Sequence, residues 1–310
     1  VEEVEASGAC RVASGPYTSR SRSARFLRRD DRIELRGDPV VLTERDRIAA
    51  QEIDVHPRQR VLEARGDVRT VSLPGEDGRS TPASPGFSGR SAISFQAAEL
   101  RVDDAARRAV YQGAARAWQE GNSIQAEEIA IDQEAKTLRA GGHVVARFTQ
   151  TPPASAAPGA RPVVTSIVSD TLLYDDARGL GAYRGDVRLT RDDAMLTSDA
   201  MDAYLKEADG RRDLDRIEAS GSVAVKRAGS FGTARQATYR NAEDLLILRD
   251  EEGLAEVVDA ATGRTMRGRT LTFDLAGDRI LTESERGGRT WITLTPDSKD
   301  VPPVEPQTRR

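Results

Sequence analysis

Glycine returns along this chain at a fixed phase of an apolar–polar alternation. Gly8, Gly37 and Gly66 stand 29 residues apart, and so do Gly113 and Gly142. Gly185 and Gly221 follow at a looser spacing. Each opens or interrupts a run such as Gly185-Asp186-Val187-Arg188-Leu189 or Gly221-Ser222-Val223-Ala224-Val225. Such alternation gives a strand with one buried and one wet face. A glycine inside a strand marks a bulge or a close backbone approach. Glycine at one phase of many strands therefore predicts the same bend in each of them.

Longer repeats support this. Glu5-Ala6-Ser7-Gly8 recurs as Glu218-Ala219-Ser220-Gly221, and at the same offset Val12 meets Val225, Ala24 meets Ala237 and Phe26 meets Tyr239. In a second register Leu100, Tyr111, Gly113 and Arg116 meet Leu172, Tyr183, Gly185 and Arg188. Residues 123–139 have helical propensity, yet Ile124, Ala126, Ile129 and Ile131 match Leu196, Ser198, Met201 and Ala203 in that register, which makes them strand. Residues 200–212 are compatible with a short helical turn. Otherwise the chain reads as successive hairpins, an all-β fold.

Composition excludes several classes. There are 46 Lys+Arg against 50 Asp+Glu, a net charge of −4, which disfavours a phosphate-binding basic face. No run approaches the ~18 apolar residues of a membrane-spanning helix. Cys10 alone allows no internal disulfide framework and no paired-cysteine metal site. His56 and His143 fall in different repeats and leave little for histidine chemistry. The pairs Asp30-Asp31, Asp103-Asp104 and Asp175-Asp176 could suggest paired catalytic carboxylates, but a pair repeated between strands reads as turn chemistry. We therefore expect no catalytic residues, no metal site and no cofactor. Residues 72–92 and 149–162 are rich in Pro, Gly, Ala and Ser and read as linkers; 296–310 reads as a disordered tail. The chain opens at Val1 in mid-repeat, without a signal-like segment, which suggests a piece of a longer protein.

The ordered motifs resemble a known family. They are 169–176 (Ser-Asp-Thr-Leu-Leu-Tyr-Asp-Asp), 182–189 (Ala-Tyr-Arg-Gly-Asp-Val-Arg-Leu), 196–200, 217–223 (Ile-Glu-Ala-Ser-Gly-Ser-Val) and 268–280 with its Leu-Thr-Phe-Asp run. Residues 163–295 are similar to one OstA-type domain, the unit of the LptA-like lipopolysaccharide-transport family. Residues 1–71 resemble the second half of a preceding unit and 93–148 a further half unit. The whole is similar to part of an LptA or of an LptC–LptA-like fusion.

The resemblance implies a β-jellyroll of "β-taco" form, antiparallel strands folded into a trough. It implies a non-enzymatic, periplasmic conduit that moves lipopolysaccharide from the inner to the outer membrane, with an inner-membrane anchor ahead of Val1 as one arrangement. The implied partners are the lipid A acyl chains, LptC-like and LptD-like domains stacked through edge strands, and further copies of the chain; no nucleic acid is expected. Exposed acyl chains cost about 0.8 kcal/mol per CH₂, so a dozen carbons need roughly 10 kcal/mol of shielding. By phase the inward, lipid-facing positions are Leu172, Tyr174, Tyr183, Val187, Leu189, Leu196, Val223, Val225, Tyr239, Leu246, Leu248, Phe273, Ile280, Ile292 and Leu294. Arg184 and Arg188 fall out of phase, either as solvated surface arginines or as rim residues facing lipid phosphates. The rival reading is a structural or adhesive β-repeat with a dry, sealed core.

Overall fold

A computed structural model describes residues 3–15, 17–74, 87, 91–150, 162–208, 211–227, 229–259, 263–274, 279–281 and 291–293, with the side chains of 150, 207–208, 211–213 and those from 274 on left aside. The tail from 296, read above as disordered, lies outside these residues. Among the described residues there is no helix, and every strand belongs to one antiparallel sheet.

The first strands are β1 (Glu3–Ser14), β2 (Tyr17–Leu27), β3 (Arg32–Arg36), β4 (Val40–Leu42), β5 (Asp46–Ala49) and β6 (Glu52–His56). Long strands follow: β7 (Val61–Ser72), β8 (Ile93–Asp103), β9 (Arg108–Gln119), β10 (Asn122–Asp132), β11 (Thr137–Gln150), β12 (Val163–Asp175), β13 (Leu180–Arg191), β14 (Ala194–Ala208), β15 (Arg211–Arg227) and β16 (Ser230–Arg240). Short ones close the series: β17 (Leu245–Arg249), β18 (Ala255–Asp259), β19 (Arg264–Gly268), β20 (Thr270–Asp274), β21 (Arg279–Leu281) and β22 (Trp291–Thr293). The ambiguous stretch from 200 is strand, not a helical turn.

The sheet is creased along one line. Every long-strand pairing from β7 to β16 shifts register in mid-strand, and the β1–β2 pairing shifts between Ser7 and Cys10. The glycine strands carry one extra residue at the shift. Opposite Gln96 to Glu99 of β8, for example, β9 runs from Arg116 to Gln112. That is a β-bulge, which bends and twists its strand. At the bulges of β7, β9, β11, β13 and β15 a glycine and its successor both take positive φ, as in Gly113 (80°) with Ala114 (49°) and Gly185 (78°) with Asp186 (42°). Gly113 shows why glycine is required: a Cβ there would lie 2.6 Å from the Cβ of Ala98 on β8, an atom that cannot swing aside. The two long repeats are thus bend matched to bend, Gly8 with Gly221 and Gly113 with Gly185.

The crease divides the sheet into two leaves. In the first run β2 (17–20), β4, β5 and the crease-ward or terminal halves 69–72, 93–97 and 115–119 of β7, β8 and β9. In the second run β3, β6 and the other halves of the same strands, 61–65, 99–103 and 108–112. At the far end β18, β19 and β22 continue the first leaf, while β17, β20 and β21 continue the second. On the strands without a bulge glycine the inward parity flips at the crease: Ile167 and Ser169 are buried before it, Leu172 and Tyr174 after it, with Asp170 and Thr171 exposed between. On the glycine strands the parity is kept, as in Tyr183 and Val187 around Gly185. Both patterns turn the apolar sides of the two leaves toward each other. The result is one apolar cluster running from Cys10 to Leu271. This is the folded-over antiparallel jellyroll.

Strands flanking the expected linkers pair directly, β7 with β8 and β11 with β12, so the sheet runs on across both insertions. The aspartate pairs sit in turns of the second leaf. Asp103 Oδ1 accepts from Ala106 N at 2.9 Å and Asp175 Oδ1 from Arg178 N at 3.1 Å. On the outer face Asp54, only 3% exposed, is offset by Arg36 at 2.7 Å, Arg32 at 3.0 Å and Arg65 at 3.5 Å. Removing one partner of such a buried charge costs more than the pair itself contributes.

Candidate functional site

The alternation that makes these strands also gathers the expected lipid-facing residues. Leu172, Tyr174, Tyr183, Val187, Leu189, Leu196, Val223, Leu246 and Leu248 are buried in the common cluster, and Val225, Tyr239 and Phe273 pack against it. They form rows across the strands. Leu172 pairs with Tyr183, Tyr183 with Met201, Met201 with Ala219, Ala219 with Ala237, and Ala237 with Leu248. In the other leaf Ile167 pairs with Leu189, Leu189 with Leu196, and Leu196 with Val225. Ile280 and Ile292 lie in β21 and β22, opposite Phe273 and Met266, with their side chains outside the described set. Leu294 lies outside the described residues.

Sequence reasoning passed over Ile167, Met201, Ile217, Ala219, Ala234, Ala237 and Leu271, which share the interior. Their signal was the same phase. The alanines carry it weakly because they are small.

Packing is tight here. Tyr174 and Tyr183 are 0% exposed and Leu172 is 1% exposed. Ser169 and Ser198, also inside, donate to carbonyls of their own strands, Thr171 O and Ala200 O, both at 3.0 Å. The Tyr183 hydroxyl has no hydrogen-bond partner. Burial, with a smaller push from neighbouring Tyr174, raises the pKa of Tyr183 above the ordinary tyrosine value.

The arginines fit the surface alternative rather than the rim. Arg184 does not stand at the mouth between the leaves. It lies on the outer face beside the crease, where its Nη1 donates to Tyr183 O at 2.8 Å, Met201 O at 3.2 Å and Asp202 Oδ1 at 2.6 Å. Arg188 is exposed on the same outer side. The reason is geometric: residues next to a bulge glycine fall on the fold line, and the mouth is formed by the turns.

An open space between the leaves exists elsewhere. A cleft of about 440 Å³ is lined on the first leaf by Tyr17, Thr43, Asp46, Ile48, Thr70, Ser72 and Phe95. On the second leaf it is lined by Arg60, Leu62, Val102, Tyr111 and Ile131, with the turn 103–109. Its floor is the Phe95–Tyr111 stack, with centroids 4.6 Å apart and planes 9° off parallel. At its lip Tyr17 OH donates to Asp104 Oδ2 at 2.7 Å, a bond that joins the leaves. No group of metal-binding side chains occurs among the described residues.

Comparison with known proteins finds likeness over part of the chain. Residues 166–278 match the family described as "LptA/(LptD N-terminal domain) LPS transport protein". No curated protein matches the chain. Among the matching solved structures is LptH of Pseudomonas aeruginosa, described as the LptA-homologous periplasmic component of its lipopolysaccharide transport device. It is 17% identical with a TM-score of 0.37, over 43% of this chain and 95% of that one. The family is one of transport rather than catalysis. Strands β12 to β20, with the bulged, apolar-lined interior described above, are the part of the chain that resembles, through residues 166–278, the LptA/LptD N-terminal family of lipopolysaccharide-transport proteins.

Proposed function

We propose that the space between the leaves carries the acyl chains of lipopolysaccharide, and that the chain serves as part of a periplasmic bridge from the inner to the outer membrane. One observation carries this reading: the apolar interior is a single cluster to which each strand from β1 to β18, and β20, contributes. At about 4.8 Å per strand such an interior extends several tens of Å, a run on which a chain can be passed along. Each acyl carbon sheltered there avoids about 0.8 kcal/mol of exposure. The units at 1–71, 93–148 and 163–295 would be successive segments of this conduit. Among the described residues β1 pairs only with β2, so its outer edge offers unpaired backbone groups along twelve residues. An edge of that kind accepts a strand from another chain. LptC-like and LptD-like domains, or a second copy, are the partners proposed for it.

The sealed-core reading has its own support in the complete burial of Leu172, Tyr174 and Tyr183. Photo-crosslinking separates the two. A photoreactive residue at Tyr183, in the envelope of the native cell, should capture lipopolysaccharide, while one at Arg184 should not. Capture at neither position, in folded protein, would establish the sealed core.

A further inference from the structure

We propose that the outer face of the first leaf is a docking surface for a membrane of anionic phospholipid. The proposal does not rest on the conduit reading.

Charge is sorted by face. On the outer side of the first leaf, a row of paired positions just beyond the crease carries Arg11, Arg20, Arg69, Arg116, Arg188 and Arg267. The next row toward the turns carries Arg47, Arg147 and Lys226. All of these cations are exposed. Glu256 is the carboxylate that falls in these rows, and it accepts from Arg267 at 2.6 Å. Asp67 at the crease holds Arg69 at 2.7 Å, and the Arg116 guanidinium lies over the Trp118 ring, 5.4 Å from its centroid. Arg11, Arg20, Arg47, Arg147, Arg188 and Lys226 have no ion pair among the described residues. The second leaf is built otherwise. Its outer row runs Arg25, Glu34, Asp54, Glu63, Arg101, mixed in sign. There Arg101 bonds Glu63, and Asp54 is held by three arginines. The net charge of −4 averages over both faces and hides the basic one, which composition disfavoured.

Cations gathered without counter-charges attract an anionic surface. The apolar component selects a membrane. Val164, Met195 and Phe231 stand on the same outer face at 50%, 37% and 49% exposure. Met195 pairs with Lys226, and Lys226 with Phe231, so an ammonium group stands between two exposed apolar side chains. Such apolar groups enter the boundary of the acyl region while a lysine reaches back to lipid phosphates. The nearest opposing charges, Asp192 and Asp193, lie in the turn beyond, with Asp193 3.9 Å from Arg227. A twisted sheet does not lay every strand on a plane. Strands β13 to β16 therefore make the contact, and the cations further along steer the approach. A second copy offers no matching face, because the carboxylates of its second leaf are already paired.

The test is flotation of the full chain with vesicles of phosphatidylcholine, alone or with about 30% phosphatidylglycerol. Neither contains lipopolysaccharide, so the conduit reading is untouched by the result. The expected result is binding to the anionic vesicles only, at least ten-fold weaker when salt rises from ~0.05 to ~0.5 M. Each basic residue near such a surface contributes about five-fold, so Arg188→Glu with Lys226→Glu should weaken binding at least ten-fold. Arg188→Gln with Lys226→Gln, the milder change, should also weaken it about ten-fold or more, which keeps the test if charge reversal disturbs the fold. Phe231→Ser should cost about five-fold. Arg139→Glu with Arg249→Glu makes the same charge change on the outer face of the second leaf, and should leave binding within about two-fold. No preference for anionic vesicles overturns the proposal. So does equal weakening by the second-leaf pair, which would make overall charge the cause. Self-association in sedimentation that the Arg188/Lys226 change abolishes, without vesicle binding, also overturns it and assigns the face to a second copy.

Discussion

The two halves of the ribbon bend alike and fill differently. Aligned on their crease glycines, β7 presents Leu62, Ala64, Val68 and Thr70 where β13 presents Gly181, Tyr183, Val187 and Leu189. Where the C-terminal half places a phenol ring and a leucine, the N-terminal half has a methyl group and a hydroxyl. The C-terminal interior is packed shut, with Tyr183 at 0% exposure, and the N-terminal interior keeps a 440 Å³ cleft. Backbone register sets the trough, and side-chain size decides where along it there is room. The largest test is to make one half resemble the other. Tyr183→Ala should cost about 3–5 kcal/mol, the range for deleting a buried aromatic, read by urea unfolding, and should create uptake of small apolar probes. A loss under ~1 kcal/mol would mean that the interior collapses freely and that the contrast between the halves is not one of packing.

The crease is what the halves share, and it can be broken at one atom. Gly113→Ala puts a Cβ 2.6 Å from that of Ala98 at φ +80°. Left-handed backbone costs roughly 1–2 kcal/mol for a residue with a side chain, and overpacking adds about 1–3. We expect a loss of about 2–5 kcal/mol, read by urea unfolding. A neutral effect would show that the bulge is not needed for the bend.

Much of this device was legible in the sequence. The phase of Gly113 and Gly185 announced a repeated bend, and alternation placed Tyr183, Val187 and Leu189 inside. The aspartate pairs read correctly as turns because their side chains serve backbone amides one turn on. Other features were not legible. The inward parity flips at Asp170-Thr171, and a strict period of two does not foresee two outward residues in succession. Phase put Arg184 on the outward side, but its bonds across the fold line to Met201 O and Asp202 were not foreseeable. The cleft itself depends on Tyr17, Phe95 and Tyr111 meeting from strands far apart in sequence, and on Thr70 standing where the other half has Leu189; no local pattern encodes that.

Alkaline titration probes both halves. Burial raises the pKa of Tyr111 in the cleft and of Tyr183 in the packed half, and burial with the Asp104 hydrogen bond raises that of Tyr17. The unfolded chain loses these protons near pH ~10 while the folded chain keeps them. Their stabilisation is therefore full below pH ~10 and falls as pH rises toward the folded values. The slope approaches about 1.4 kcal/mol per pH unit for each fully buried tyrosine. Guanidinium melts between neutral and strongly alkaline pH should show it, with Tyr111→Phe and Tyr183→Phe each removing one share. Equal slopes in wild type and both variants would contradict the burial of these rings.

At neutral pH the same substitution gives the smallest effect. The Tyr183 hydroxyl is sealed in without a partner, so folding strips it of water and returns no bond. Deleting that oxygen leaves the ring, its rows and the crease intact. An unsatisfied buried group costs about 1–3 kcal/mol, and part is regained when it is removed, so Tyr183→Phe should stabilise the chain by about 1 kcal/mol. Destabilisation would mean that the hydroxyl is bonded in solution, which requires water or a ligand oxygen inside the C-terminal half. That half would then be open like its neighbour, and the difference between them would lie in occupancy rather than in packing.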